Sequence, residues 1–182
     1  MTLLVARHAP VDAAGICYGR HEVATRQRPD ASAVEIFEAL GERRTQITEV
    51  WSSPAKRCRL PAEHLAGLLA VPVHLSDDLQ ELDYGQWEGQ PWDILQRDDS
   101  ERLKHWMDAW QSEAPPDGES IGALERRVRN WLIANGRGRL VVAHAGVIRA
   151  LYVILRGLSW EESMAREIEH LKIEIFEPSD RP

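Results

Sequence analysis

Two hydrophobic rhythms alternate along the chain. Short, nearly continuous apolar runs at residues 2–7, 47–52, 71–75 and 139–143 read as strands, and residues 171–176 alternate as a fifth. Between them, apolar positions recur every three or four residues, which predicts helices. The first runs from a cap at Asp30 or Ser32 to Leu40, with Gly41 as its stop. Ser53-Pro54 reads as the cap and first-turn proline of a helix over 55–69, which Pro61 is expected to kink or end early. Further helices fall at 91–98, 101–110, 120–134 (capped by Ser120, stopped by Gly136), 147–155 (closed by Gly157) and 159–165. Residues 10–29 and 81–89 follow neither period and read as irregular, and Pro72 puts the third strand at a sheet edge. Strands alternating with helices predict a three-layer α/β/α sandwich around a mostly parallel sheet.

Length narrows this to one domain: 182 residues without a linker, a repeat or a low-complexity tract. A helical lid is expected over about residues 83–118, where Trp92, Leu95, Leu103, Trp106 and Trp110 would anchor it. No apolar run approaches the roughly 20 residues of a membrane helix, and Arg7-His8 come too soon for a leader, so a cytoplasmic protein with no membrane partner is expected. The net charge of −7 argues against a nucleic-acid partner, but leaves room for a locally positive pocket that takes a small anion. Cys17 and Cys58 have no paired-ligand spacing and read as reduced, buried thiols.

The first strand ends in Arg7-His8, where an open α/β sheet presents residues to a ligand crevice. A cation beside an imidazole suits an anion held next to a nucleophile or base. Residues 140–146 repeat the arrangement, a buried-type strand ending in His144. A second cation, Arg57, sits in the first turn of a helix whose N-terminus already favours anions.

Four segments together resemble the histidine phosphatase (phosphoglycerate-mutase-like) superfamily. They are Arg7-His8, Ser52-Ser53-Pro54-Ala55-Lys56-Arg57-Cys58, Glu81-Leu82-Asp83-Tyr84-Gly85-Gln86-Trp87-Glu88-Gly89, and Val142-Ala143-His144-Ala145-Gly146-Val147-Ile148-Arg149. They stand in the family's order and span nearly the whole chain. The Cys17-Tyr18-Gly19 loop, Cys58-Arg59 and the compact length are most similar to the α-ribazole phosphatase branch. Two departures matter. Ala9 replaces the family's glycine after the catalytic histidine, and its Cβ would obstruct a phosphate if the residue needed positive φ. The loop around Arg20-His21-Glu22-Val23-Ala24-Thr25 follows the family's pattern only loosely, which touches substrate choice.

The resemblance implies a phosphoryl transfer through His8, which attacks through a neutral Nε2 while a backbone carbonyl fixes its other nitrogen. Arg7 and Arg57 would bind the phosphate oxygens, and His144, if protonated, would add a donor. Glu81 would protonate the leaving oxygen and then deprotonate water. Asp83 and Glu88 are rival carboxylates, Arg59 a rival cation, and motif order favours Glu81 and Arg57. Tyr18 and Arg20 are candidate substrate contacts, although a loop tyrosine packs on a core as readily. The tryptophans read as packing residues, some of them able to stack on a planar substrate. His21, His64, His74, His105 and His170 read as surface or structural. No cofactor or metal is expected, since no ligand spacing or Walker-type loop occurs.

The expected activity is a cofactor-independent phosphatase on a small phosphorylated metabolite, with α-ribazole 5′-phosphate the first named candidate, in a monomer or homodimer. Two alternatives stand beside it: a phosphoglycerate-mutase-type phosphotransferase, and a catalytically degenerate phosphate-binding or interaction module motivated by Ala9.

Overall fold

The computed structural model describes residues 2–135 and 139–177. Five strands, β1 (Leu3–Arg7), β2 (Val50–Ser52), β3 (Val73–Leu75), β4 (Leu140–Ala143) and β5 (Ile173–Phe176), form one sheet in the order β3-β2-β4-β1-β5. The first four in that order run parallel, and β5 closes the edge antiparallel to β1. All five expected strands are present, and β3 lies at the edge that Pro72 predicts. The second is shorter than its apolar run because residues Gly41–Gln46 form a 3₁₀ segment and pairing begins only at Val50.

Strand alternation divides the core. Leu3, Val5, Val141 and Ala143 face α5 (Ile121–Asn135), α6 (Ala145–Arg156) and α7 (Trp160–Met164). Leu4, Ala6, Leu140 and Val142 face α1 (Pro29–Leu40) and α2 (Lys56–Leu69). Helices therefore cover both faces of the sheet, the expected three-layer arrangement.

The helix boundaries show where local signals yield. α1 begins one residue before Asp30, with Pro29 in its first turn and Arg28 as an N-cap without a side-chain bond. Asp30 instead pairs with Arg28 in that turn. Pro61 does not end α2: the helix continues as one piece to Leu69 because Cys58, Pro61, Ala62, Leu65 and Ala66 all bury against the sheet and α1. Ser53 is not its N-cap, since the helix starts at Lys56 and the Ser53 hydroxyl turns to His144. Ser120 caps α5 as expected, accepting from the Ala123 N–H, whereas the expected stop at Gly136 lies outside the described residues. Gly157 ends α6 with φ of 66°. Ser159 and Glu162 cap α7 reciprocally.

Between β3 and α5, α3 (Trp92–Asp98) and α4 (Ser100–Asp108) follow a 3₁₀ turn at Gly85–Trp87. Trp87, Leu95, Leu103 and Cys17 form a small core of their own there, which ties this helical region to the residue 10–29 loop. Among the described residues, no helix is long and apolar enough to cross a membrane.

Candidate active site

Parallel pairing of β1 and β4 brings Arg7 level with Ala143, so both strand-end histidines emerge at the carboxyl edge of the sheet. Their rings meet edge to face with centroids 5.3 Å apart. His8 is buried, and its Nδ1–H donates to the Ala9 carbonyl at 2.7 Å, which leaves the Nε2 lone pair free. Burial, above all, and the charges of Arg57 and Arg7 lower its pKa from 6.5 to about 3. The imidazole is therefore neutral.

Ala9 serves this geometry rather than hindering it. Its φ is not among the positive ones, its methyl packs in the core, and Pro10 restricts the residue before it to extended backbone. The carbonyl that holds His8 is thereby fixed.

His8 lines a cavity of about 220 Å³ with Arg7, Arg57, Tyr18, Glu81 and Tyr84. Five of the residues singled out from the sequence thus share one wall. Arg7 donates to the Ile168 carbonyl at 2.7 Å through Nη1, and its buried Nε finds no partner among the described residues. Arg57 donates Nη1 to the His21 carbonyl at 2.9 Å and Nη2 to the Gly19 carbonyl, and its guanidinium lies 5.7 Å from the Tyr18 ring. Arg59, its rival, pairs with Glu63 on the surface of α2.

Glu81 is held from both oxygens. Oε2 accepts the Gly146 N–H at 3.1 Å, at the start of α6, and Oε1 accepts the Leu82 N–H at 2.9 Å. A Cβ at position 146 would fall 2.1 Å from Glu81 Oε1, so only glycine lets the carboxylate come this close. The rival carboxylates are committed elsewhere. Asp83 accepts the Gly85 N–H and pairs with Arg20, while Glu88 accepts the N–H groups of Gly19, Arg20, His21 and Tyr84.

Two expected contacts sit differently. Arg20 does not line the cavity: its guanidinium is 3.1 Å from Asp83 and 3.5 Å from Glu119. His144 is fully buried behind His8, with Nε2 2.8 Å from the Ser53 hydroxyl and the Cys58 sulfur against its ring. Burial, then the charge of Arg57, holds its pKa well below 6.5, so in the free protein it is not the protonated donor expected from the sequence. Burial likewise pushes the Cys58 thiol up, and pushes Cys17 up to about 12, so neither is a nucleophile.

Three residues support the site in roles the sequence did not assign, among them His170, read only as surface or structural, and Glu88, read as a rival carboxylate. His170 hydrogen-bonds through Nδ1 to the His8 carbonyl at 2.6 Å, while the Leu171 N–H donates to the Arg7 carbonyl at 3.0 Å. Together with the Ile168 carbonyl on Arg7, this segment straps the end of β1. Arg127 of α5 chelates Glu119 and donates to the carbonyls of Asp78, Gln80 and Glu81. Glu88 organises the loop that carries Tyr18 to His21. The signal for Glu88 lay in its motif, but nothing in periodicity separates the other two from surface charges.

The chain is similar to known proteins. The model of the histidine phosphatase superfamily (branch 1) matches residues 3–181. An adenosylcobalamin/α-ribazole phosphatase of Salmonella typhimurium is 27% identical over 158 residues, covering 83% of this chain and 77% of the relative. A 2,3-bisphosphoglycerate-dependent phosphoglycerate mutase of Bartonella bacilliformis is 31% identical over 129 residues, covering 65% of this chain and 62% of its own. The crystal structure of the α-ribazole phosphatase of Shigella flexneri superposes with a TM-score of 0.85 at 24% identity, over 96% of this chain and 89% of that one, which shows a common fold. With the family model spanning the sheet, both histidines and Glu81, the chain belongs to the histidine phosphatase superfamily.

Proposed function

We propose that the protein is a phosphoric monoester hydrolase working through a phosphohistidine on His8, and that no cofactor takes part. The observation that carries the reading is His8 itself: a neutral imidazole, locked by Ala9 with Nε2 unprotonated, on a cavity wall shared with two guanidiniums and one carboxyl group. In the first half-reaction the Nε2 lone pair attacks phosphorus and the bond to the leaving oxygen breaks. Glu81 gives that oxygen a proton, so an alcohol departs rather than an alkoxide. Arg7 and Arg57 neutralise the non-bridging oxygens. In the second half-reaction Glu81 takes a proton from water as its oxygen bonds to phosphorus. The P–N bond breaks, and inorganic phosphate leaves a neutral His8. The His144 ring packs edge to face against the nucleophile and is itself held by the Ser53 hydroxyl.

Among substrates, α-ribazole 5′-phosphate comes first, supported by the name of the Salmonella relative. The Bartonella relative supports a second reading, a mutase that returns the phosphoryl group to a sugar acid.

Phosphoryl trapping tests the mechanism. The protein is mixed with an aryl phosphate in excess chelator, acid-free quenched, and weighed intact beside His8→Ala and Glu81→Gln. One added phosphoryl group is expected on the wild type, none on His8→Ala, and a longer-lived adduct on Glu81→Gln. Absence of both adduct and turnover across several phosphomonoesters would sink the reading in favour of a phosphate-binding module. A requirement for a bisphosphorylated primer would favour the mutase.

A further inference from the structure

Glu81 sits on backbone that neither a strand nor a helix holds. Residues 81–84 lie between the 3₁₀ turns at Asp77–Leu79 and Gly85–Trp87 and pair with no strand. A carboxyl group that must meet a leaving oxygen tolerates little displacement, so this segment needs an anchor from outside. The anchor comes from α5.

Arg127 lies on the second turn of α5, at the edge of the buried stripe of Leu124, Val128 and Trp131. Long helical side chains lean toward the N-terminus of their helix, which carries its guanidinium back to Glu119, just before the Ser120 cap. There all five of the N–H groups that an arginine offers find acceptors. Nε donates to Glu119 Oε1 at 2.7 Å, and Nη2 donates to Oε2 at 2.8 Å and to the Glu81 carbonyl at 3.1 Å. Nη1 donates to the carbonyls of Asp78 and Gln80, both at 2.7 Å. Glu119 completes the clamp. Its N–H donates to the Asp83 carbonyl at 2.9 Å, and its carboxylate is braced from the other side by Arg20 at 3.5 Å. The carbonyls of Asp78, Gln80, Glu81 and Asp83 are thus held by one ion pair.

That pair is well shielded, with Arg127 13% and Glu119 12% exposed, and neither residue lines the cavity of His8. With every donor engaged, Arg127 has none left for a phosphate. Whatever it contributes to the reaction therefore passes through what it holds. We propose that Arg127 is the positioning residue for the proton transfers at Glu81: its planar fork fixes the backbone that carries the carboxyl group, while the Gly146 N–H fixes the carboxyl group itself. The inference rests on the phosphatase reading for the role of Glu81.

Two esters separate this role from general support of the fold. Ethyl phosphate needs a proton on its leaving oxygen, whereas 4-nitrophenyl phosphate releases a phenolate that needs none. Arg127→Met is expected to lower kcat/KM for ethyl phosphate about a hundredfold, and for 4-nitrophenyl phosphate only a few-fold. Glu81→Gln should show the same pattern. Adding Arg127→Met to it should cost ethyl phosphate nothing more, because the proton donor is already gone. Arg127→Lys keeps the charge without the fork and is expected to stay as low as Arg127→Met. Full ethyl phosphate activity in Arg127→Lys, equal losses on both esters, or losses that multiply in the double variant would each overturn the proposal while the phosphatase reading stands. If Arg127→Met does not fold, Glu119→Gln carries the test, since its amide meets one arm of the fork donor to donor. About a tenfold loss confined to ethyl phosphate is then expected, and an equal loss on both esters overturns the proposal. A wild type that turns over neither ester would end the phosphatase reading and the role of Arg127 together.

Discussion

The chemistry of this site turns on contacts that leave no room for an extra atom. Glu81 reaches the first turn of α6 only because position 146 lacks a Cβ, which would otherwise stand 2.1 Å from Oε1. Replacing Gly146 by Ala adds one methyl group at a helical position where alanine is otherwise favoured. The fold should therefore survive while the carboxylate moves by about an ångström. A displacement of that size at a proton donor costs on the order of a hundredfold. Gly146→Ala is thus expected to lower kcat by about that factor on a phosphomonoester, with a melting temperature close to that of the wild type. A collapse of the melting temperature along with activity would show that Gly146 serves packing instead. Ala9 shows the opposite case, in which a side chain is admitted where the family has glycine. Pro10 keeps its backbone extended, so the methyl packs inward and the carbonyl still meets His8 Nδ1.

At the scale of elements, the loop after β1 is gripped from two sides. Glu88 accepts the N–H groups of Gly19, Arg20 and His21, and Arg57 donates to the carbonyls of Gly19 and His21. The loop and the Arg57 guanidinium therefore brace each other. Glu88→Ala leaves four backbone donors without their acceptor, Tyr84 included, at a cost of about 2–3 kcal/mol after water replaces part of the bonding. In a chain of this size that is a fall of roughly 5–10 °C in melting temperature. Phosphate affinity should weaken with it, since Arg57 loses its anchors, and Glu88→Gln should lie between. Unchanged affinity beside a lowered melting temperature would show that Arg57 is held without the loop. Such elements also mark the limit of what the sequence tells. The strands were legible because burial on both faces leaves an unbroken apolar run, as in Leu140-Val141-Val142-Ala143. Arg7 and His8 were legible because they end a strand, whereas Arg57, Glu81 and Tyr18 were legible only through the order of the motifs and the loop that carry them. Pro61 misled, because tertiary burial outweighs one missing hydrogen bond. Ser53 misled, because a serine before a helix can serve either its N-terminus or a distant imidazole. His170 lies 162 residues from the carbonyl it holds, and only the antiparallel return of β5 beside β1 brings them together.

The whole molecule carries the consequence of placing two imidazoles side by side in its interior. Neighbouring strands β1 and β4 end in His8 and His144, α2 covers them, and both are buried with lowered pKa. The direction of the resulting pH dependence follows from proton counting. An unfolded chain binds a proton at each imidazole below about pH 6.5, whereas the fold refuses one at His8 until about pH 3. Below 6.5 the unfolded state therefore holds more protons, and acid favours it. The stability associated with His8 is fully present above pH 6.5 and declines as the pH falls toward 3. At pH 5 the loss is about 2 kcal/mol from His8, with His144 adding in the same direction. Against a total stability of about 5–15 kcal/mol this is a large share. Urea midpoints at pH 7 and pH 5 should therefore differ clearly for the wild type. The difference should shrink in His8→Asn, which removes the titrating ring and keeps a polar side chain near Ala9. An equal pH dependence in both proteins would mean that His8 takes up its proton within the fold, and the neutral nucleophile on which the mechanism rests would then be lost in mild acid.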